Sequence, residues 1–449
     1  MLGMTTFGII WLLISIVAIA AGKKYAVMAI FVSATFQATS FANFSDKGVS
    51  LFLVTELLVL FRYSGSIFNR LSTGLVRKIS LLMVVFFIYS ALISIISPGI
   101  FYDTIVINND NSAIDGGARV SISVQSFIYL AVILLNILTA IAVMSDGKNI
   151  SNNDAINIAI NSAIIVSVFG FLEMAMKLTG TYDVLRELVF NNVGYKQALF
   201  ADANGNFRLQ GGFSEPSYCG AFLGASFWLS IFNRRYISSA IIGIALLLNF
   251  SGTGFIAFVS GWILFYAYNI KSKKILLSTI VISMAIFVIA MASDAFDAIS
   301  GMVSGFVTGK VDSDSGSVRF AEAKIMIESI VSTYGLGIGL GITRGGGFAL
   351  NLIAATGVFG FCMLSWCVLN ILKRSPAYWK IFFYTLMSAM IVSIPDLSFP
   401  ILWASIILFL SSFYIADNRF SNFVYKRWNR YHEEKEDKEY CGRDIIAKS

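Results

Sequence analysis

Residues 208–220 read RLQGGFSEPSYCG, a polar, glycine-hinged stretch that runs directly into an apolar segment ending at Phe232. Pro216 suits the first turn of a helix, where its missing N–H costs nothing, and Ser214 or Glu215 stands just before it as the cap. Gly211 and Gly212 relax the backbone ahead of the cap, so the chain can turn from a loop into a bilayer and Arg208 can fold back over the helix end. A helix N-terminus carries partial positive charge and free N–H groups, and together with Arg208 it makes a seat for an anionic head group. The expectation is that this stretch is the floor of an active site, with Arg208 and Glu215 at the mouth of a membrane-spanning helix.

Working outward, the whole 449-residue chain is 57% hydrophobic and only 13% charged, with mean hydropathy +0.76. Soluble domains are nearer a quarter charged, so these values exclude that class. Apolar runs long enough to cross a bilayer recur along the chain, roughly thirteen in all. The expected fold is all-α: a polytopic integral membrane protein of about 12–14 transmembrane helices, with a transmembrane domain over residues 1–416 and a cytoplasmic tail over 417–449. The net charge of +7 belongs to basic cytoplasmic loops and not to a nucleic-acid partner. Four cysteines (Cys219, Cys362, Cys367, Cys441) show no framework spacing, and His432 is the single histidine. A His/Cys metal site has no ligands to draw on, so neither metal nor cofactor is expected.

Charge sets the orientation. The first run, 7–21, lacks a basic segment before it and is followed at once by Lys23, Lys24 and a second run, 25–44, which argues against a cleaved signal peptide. After a third run, 49–61, the segment 62–78 carries Arg62, Arg70, Arg77 and Lys78 with no acidic residue and is expected to be a cytoplasmic loop. Spans at 79–97, 121–144 and 155–178 follow. The first large extracytoplasmic loop, about 179–216, should hold an interfacial helix over 182–200, where Val184, Leu188 and Phe190 alternate with Arg186 and Glu187. Further spans are read at 216–232, 237–249, 255–270, 275–292, 348–372, 381–394 and 399–415, with a second large loop at about 293–347. The basic groups Arg234–Arg235, Lys271–Lys274 and Lys373–Lys380 agree, placing the amino terminus outside and the carboxyl terminus inside.

The second loop carries Arg319 at the start of an amphipathic helix that Ser315 or Ser317 could cap, then YGLGIGLG (334–341) and TRGGG (343–347) with Arg344. A cation in a first turn opposes the macrodipole. Arg319 therefore either pairs with Glu322 or joins Arg208 and Arg344 over a phosphate-rich ligand, which guanidinium groups bind through paired donors. Asp312–Asp314 spells DxD but reads as a solvated turn, and the glycines of 335–347 read as close packing and hinges. Glu56 and Glu173 fall within apolar spans, where an ionisable group is a functional hypothesis by default. Glu173 has Lys177 four residues on, so a structural pair stands beside that reading.

At these residues the chain resembles the O-antigen polymerase and ligase superfamily of bacterial membrane glycosyltransferases. Four stretches carry the resemblance: RLQGGFSEPSYCG at Arg208, NFSGTGFIAF at Asn249, SVRFAEAKIMIESIVSTYGLGIGLG at Ser317 and ALNLIAATGVFG at Ala349. The resemblance implies a GT-C-like helical enzyme that acts on polyprenyl-pyrophosphate-linked oligosaccharide, with membrane lipid around it and loop arginines holding the pyrophosphate without a metal. It implies an inner-membrane location with the site facing the periplasm, and a chain-length regulator protein as a further partner. The ligase branch carries a His-Asn pair about eleven residues before the glycine matching Gly357, where this chain has Gly346 and Gly347. The Glu-Pro-Ser motif at 215–217 is closer to the polymerase (Wzy-type) branch.

The site expected on this basis has Arg208, Arg319 and Arg344 stabilising the pyrophosphate leaving group. Ser217 and Tyr218 contact the substrate, and Glu215 either takes the acceptor proton or stays ionised and orients Arg208. The rival class is a flippase or transporter, which should show inverted repeats or broken helices near the midplane.

Overall fold

A computed structural model describes residues 2–45, 47–70, 74–107, 116–146, 150–195, 197, 207–269, 314–373 and 375–412; side chains at 2, 68–70, 74–76, 269 and 314–317 are not described. The protein is mostly helical, as an apolar medium demands, because backbone groups out of reach of water must bond within their own segment. The helices are α1 (Thr6–Ala21), α2 (Lys23–Thr35), α3 (Leu51–Arg70), α4 (Gly74–Ile100), α5 (Val124–Ser145), α6 (Asn152–Leu178), the short α7 (Tyr182–Leu188), α8 (Pro216–Phe232), α9 (Tyr236–Asn249) and α10 (Gly252–Asn269). After the undescribed segment come α11 (Asp314–Ser332), α12 (Phe348–Lys373), α13 (Ala377–Ser393) and α14 (Pro400–Ser412). Among the described residues, four helices are long and apolar enough to cross a membrane: α4 from Arg77, α5, α6 and α12. The expected span 275–292, the residues Asp312 and Ser313, and the tail with His432 and Cys441 lie outside the described residues.

Three expectations change. The apolar run 25–44 is not one helix: α2 stops at Thr35, and Ser40–Phe44 forms a strand, β2, paired antiparallel between β1 (Leu2–Met4) and β3 (Lys47–Ser50). Hydropathy averaged over that run is carried by its phenylalanines and hides Gln37, Thr39, Ser40 and Asn43, whose side chains compete for backbone hydrogen bonds and favour turns and edges over helix. A second small antiparallel pair joins β4 (Ile105–Val106) to β5 (Ala118–Arg119), and these few short strands leave a mostly helical fold compatible with an all-α membrane protein. The basic segment 62–78 is not a loop: α3 continues to Arg70 and α4 starts at Gly74. The interfacial helix ends at Leu188, and Phe190 is buried in a cluster with Tyr182 and Leu185 instead of lying on a surface.

Helix α8 is the centre of the bundle. Every residue from Pro216 to Ala225 is buried, and α6, α9, α10 and α13 pack around it. Close approach to α10 comes from small residues, as it does where lipid supplies no hydrophobic drive. A Cβ on Gly220 would meet Ser251 and Gly254, and one on Gly224 would meet Ala257. Large apolar side chains such as Phe61 (87% exposed), Ile237 (82%) and Leu247 (74%) point outward, which in water would be an unusual expense and in lipid is none.

The glycine run packs, as its composition implies, and it does so into a broken helix. Gly357 adopts φ 72° inside α12. The Ala354 and Ala355 carbonyls, which the break frees, accept hydrogen bonds from the amides of Ile338 (2.9 Å) and Gly339 (2.8 Å), while Val358 N–H donates to Gly335 O (2.9 Å). A Cβ at Gly357 would strike the Leu336 carbonyl. Gly357→Ala should therefore cost about 1–3 kcal/mol for the backbone alone, which at φ 72°, ψ 172° lies in a region essentially reserved for glycine, plus the displacement of the run. Thermal unfolding in detergent checks this, and an unchanged midpoint would contradict it.

Candidate functional site

The Arg208 stretch is held from two sides. On α6, the Glu173–Lys177 ion pair is completely buried. The free Glu173 oxygen accepts from the amides of Gln210 (3.0 Å) and Gly211 (2.6 Å), and Lys177 donates to the Arg208 carbonyl (3.2 Å). The pair of readings left open for Glu173 thus resolves: it is a structural pair, and it clamps the backbone that carries Arg208. From the other side, the Asn249 amide donates to the Leu209 (2.6 Å) and Pro216 (2.8 Å) carbonyls, and Leu209 N–H donates to Leu248 O (3.1 Å). Gly211 sits at φ 59°, where an added Cβ would press on Val166, and Gly212 lies against the Thr35 carbonyl. Gln197 closes the arrangement by donating to the carbonyls of Gly211 (2.7 Å) and Phe213 (2.6 Å).

Helix α8 starts where the sequence places it. Glu215 is the N-cap and Pro216 the first helical residue, but the Glu215 side chain makes no capping bond. Its Oε2 instead accepts from Ser217 Oγ (2.9 Å), leaving the carboxylate at the mouth of the helix. Arg208 Nε approaches the Asn249 carbonyl (3.5 Å) at the turn into α10, whose first residue is Gly252.

Arg344 sits in the loop before α12, held by its own amide donating to the Ile107 carbonyl (2.8 Å). Its guanidinium donates to Asp396 Oδ2 (3.0 Å) and reaches the Tyr218 hydroxyl (3.4 Å). The Asp396 charge raises the Arg344 pKa further, against a smaller effect of burial, so this side chain stays cationic. Asp396 lies between α13 and α14 beside Pro395, whose carbonyl accepts from Asn351 of α12 (2.9 Å). Tyr195 completes the cluster. It is 51% exposed and lies within electrostatic reach of both Asp396 and Arg344. Burial raises its phenol pKa and Asp396 adds to that, while Arg344 opposes.

Arg319 is exposed on α11 and donates to Ser393 Oγ (2.9 Å), which also accepts from Thr253 Oγ1 of α10 (2.6 Å). Two expectations about this helix fail. It starts at Asp314, so Ser315 and Ser317 lie within it and Arg319 lies in its second turn, not its first. Glu322 does not pair with Arg319, because Gly345 folds against it and Gly346 N–H donates to its carboxylate (3.2 Å).

These contacts bring the ends of several helices together. The starts of α8, α10, α12 and α14 meet the ends of α6, α9 and α13 at one end of the bundle, through Asn249, Thr253–Ser393 and Asn351–Pro395. Arg208, Arg319 and Arg344 come from three separate segments to that same end. The four helix starts add their partial positive charge to the three guanidiniums, and the acidic groups placed among them are Glu215 and Asp396. Both carboxylates are within electrostatic reach of Tyr218. A separate open cleft of about 520 Å³, bounded by Met4, Asn43, Glu187 and Asn191 beside the small sheet, is lined by none of these residues.

Asp396 is the residue that sequence reasoning missed, lying in the short gap between the spans read at 381–394 and 399–415. Its signal was an acidic side chain flanked by apolar runs on both sides, the same criterion that singled out Glu56 and Glu173. Among the described residues, no group of three His, Cys, Asp or Glu side chains is placed to hold a metal ion. No family model matches the chain, and no curated protein or solved structure matches it either.

Proposed function

We propose that the protein is a membrane glycosyltransferase of the O-antigen polymerase type, with a GT-C-like arrangement of its helices. It would transfer a growing glycan from polyprenyl pyrophosphate to the next lipid-linked repeat unit at the outer face of the bacterial inner membrane, with loops about 179–216 and 293–347 on that face. The observation that carries this reading is the gathering of Arg208, Arg319 and Arg344 over four helix starts. Such an end can hold a pyrophosphate, and electrostatic stabilisation of that leaving group is the largest contribution the chain could make to the reaction. Arg344 is oriented by Asp396 toward Tyr218, so it presents one face of its fork to a ligand at the start of α8. Glu215, uncommitted to capping, is the carboxylate in place to accept the acceptor hydroxyl proton.

A transporter of lipid-linked sugars is the second reading, and the observation favouring it is the break in α12. The carbonyls freed by the break, however, accept hydrogen bonds from the amides of Ile338 and Gly339, so the glycine run satisfies them without an ion.

The test is the lipopolysaccharide banding pattern of a strain lacking the gene, complemented with variants. Loss of the ladder with a core carrying one repeat unit is expected; bare core would withdraw the polymerase reading in favour of a flippase or ligase. Arg208→Ala should fail to restore the ladder, with turnover down about 10²-fold or more. If Glu215→Gln restores it fully, Glu215 is an orienting group for Arg208 and not the base.

A further inference from the structure

Glu56 takes no part in that site. It sits in the middle of α3 with no exposed surface, and among the described residues neither carboxylate oxygen has a hydrogen-bond partner. It shares a face of α3 with Phe52, Val59 and Tyr63, at spacings of four, three and four, and that face enters the core with Ile133, Ile137 and Ala140 of α5. On α5, Asn136 and Thr139 are likewise fully buried. Both polar atoms of the Asn136 amide and the Thr139 hydroxyl also lack a partner.

The levels of Glu56 and Thr139 coincide, and Asn136 stands a little under one helical turn from Thr139 along α5. Helices α3 and α5 pack together and, with α4 returning between them, run the same way. Tyr63 is within electrostatic reach of Asp146 at the end of α5. Glu56 lies seven residues before Tyr63 and Thr139 seven before Asp146, so both stand about 10 Å from that end at 1.5 Å per residue. Charged or titratable groups on the elements packed against α3 are accounted for elsewhere. Helix α1 has none; on α2, Lys23 reaches Asp146 and Lys24 pairs with Asp154, and Tyr25 lies beside Lys24. On α5, Tyr129 accepts from Ser398 N–H (3.1 Å). Arg62 stacks over Tyr63 on α3 itself, and Lys47 of β3 is exposed.

An isolated carboxylate cannot remain as an anion in an apolar interior; it is neutralised or it is not buried. Carboxylate, amide and hydroxyl oxygens are hard donors that suit a small cation. We propose that Glu56, Asn136 and Thr139 form a buried site for one small monovalent cation, a proton or a sodium ion, inside the bundle. The site is independent of glycosyl transfer and gives the fold a dependence on pH or sodium of its own.

Dicyclohexylcarbodiimide labels buried protonated carboxyl groups, so the full-length protein in detergent is treated with it and Glu56 is followed by peptide mass spectrometry. Labelling that falls about tenfold per pH unit above its midpoint, without regard to sodium, identifies a proton. Protection at fixed pH by sodium chloride but not choline chloride identifies sodium. The thermal unfolding midpoint is measured in parallel for the parent and for Glu56→Gln, which keeps the shape of the side chain. A midpoint that responds to pH or sodium in the parent and not in Glu56→Gln supports the site even where the reagent fails to reach it. Labelling that responds to neither, or midpoints that respond alike in both proteins, overturns the proposal. Asn136→Ala, which leaves the carboxyl in place, should shift the labelling midpoint or the sodium concentration for half protection if the amide is a ligand.

Discussion

Glu173→Ala is expected to destabilise the fold by about 3–5 kcal/mol, because it strands the Lys177 ammonium in a fully buried position. Few single changes in this chain should cost more. The loss does not end with the ion pair: the amides of Gln210 and Gly211 lose their acceptor, and an orphaned buried donor costs about 1–3 kcal/mol. Thermal unfolding in detergent gives the first readout. A second separates stability from positioning. Removing both charges, as Glu173→Met with Lys177→Met, should recover the part of the loss that comes from the stranded ammonium, but not the part that comes from the unpaired Gln210 and Gly211 amides. Polymerisation should nevertheless stay low, because the backbone carrying Arg208 would have lost its clamp. If the double variant regains both stability and activity, the clamp has no role in the site.

Arg344→Ala is expected to lower turnover about 10²–10³-fold, the range seen when one preorganised donor to a developing charge is removed. The fold should survive it, since the Arg344–Asp396 pair is partly open to solvent, with Arg344 39% exposed, and pairs of that kind contribute little to stability. Asp396→Asn tests the other partner. It keeps the shape and loses the charge that fixes the guanidinium, so Arg344 should wander, and the loss should fall on kcat, as the loss of an interaction made in the transition state does. Arg344→Lys keeps a cation but not the planar fork, and rescue by lysine should be weak. Equal activity in Arg344→Ala and the parent would remove this arginine from the site and leave Arg208 and Arg319 alone.

How much of this was legible in the sequence depends on the range of the forces involved. The start of α8 was readable to the residue because proline at the first helical position and glycine before the cap are local backbone constraints. The long spans were readable because burial in an apolar medium selects for continuous apolar runs. The strand at 40–44 was not, since hydropathy alone does not separate a half-buried strand from a membrane helix; Ser40 and Asn43 make their decisive bonds to Asn191, some 150 residues away. The partners of Arg319 and Arg344 were equally out of reach. Sequence spacing offered Glu322 to Arg319, whereas tertiary packing gave it Ser393 and gave Glu322 to the glycine loop. Glu173 and Lys177 were visible as a pair at helical spacing, but the backbone they hold was not.

The docking of the glycine run has a consequence for how the protein is made. Ser94 Oγ of α4 accepts from Leu340 N–H (2.8 Å) and Ser97 Oγ donates to the Gly337 carbonyl, contacts that span 246 and 240 residues. At a synthesis rate of about 5–20 residues per second, α4 enters the membrane roughly 10–50 s before those partners exist. Meanwhile Ser94 can bond back to its own helix through Ser90 O (2.7 Å), so the wait is tolerable but the groove is open. Helices α11 to α14 therefore act as a closing piece delivered well after α4 has been made. A ribosome that stalls before residue 335 leaves a nascent chain whose amino-terminal helices are already inserted and whose seam is unfilled, a distinct substrate for the proteases that clear incomplete membrane proteins.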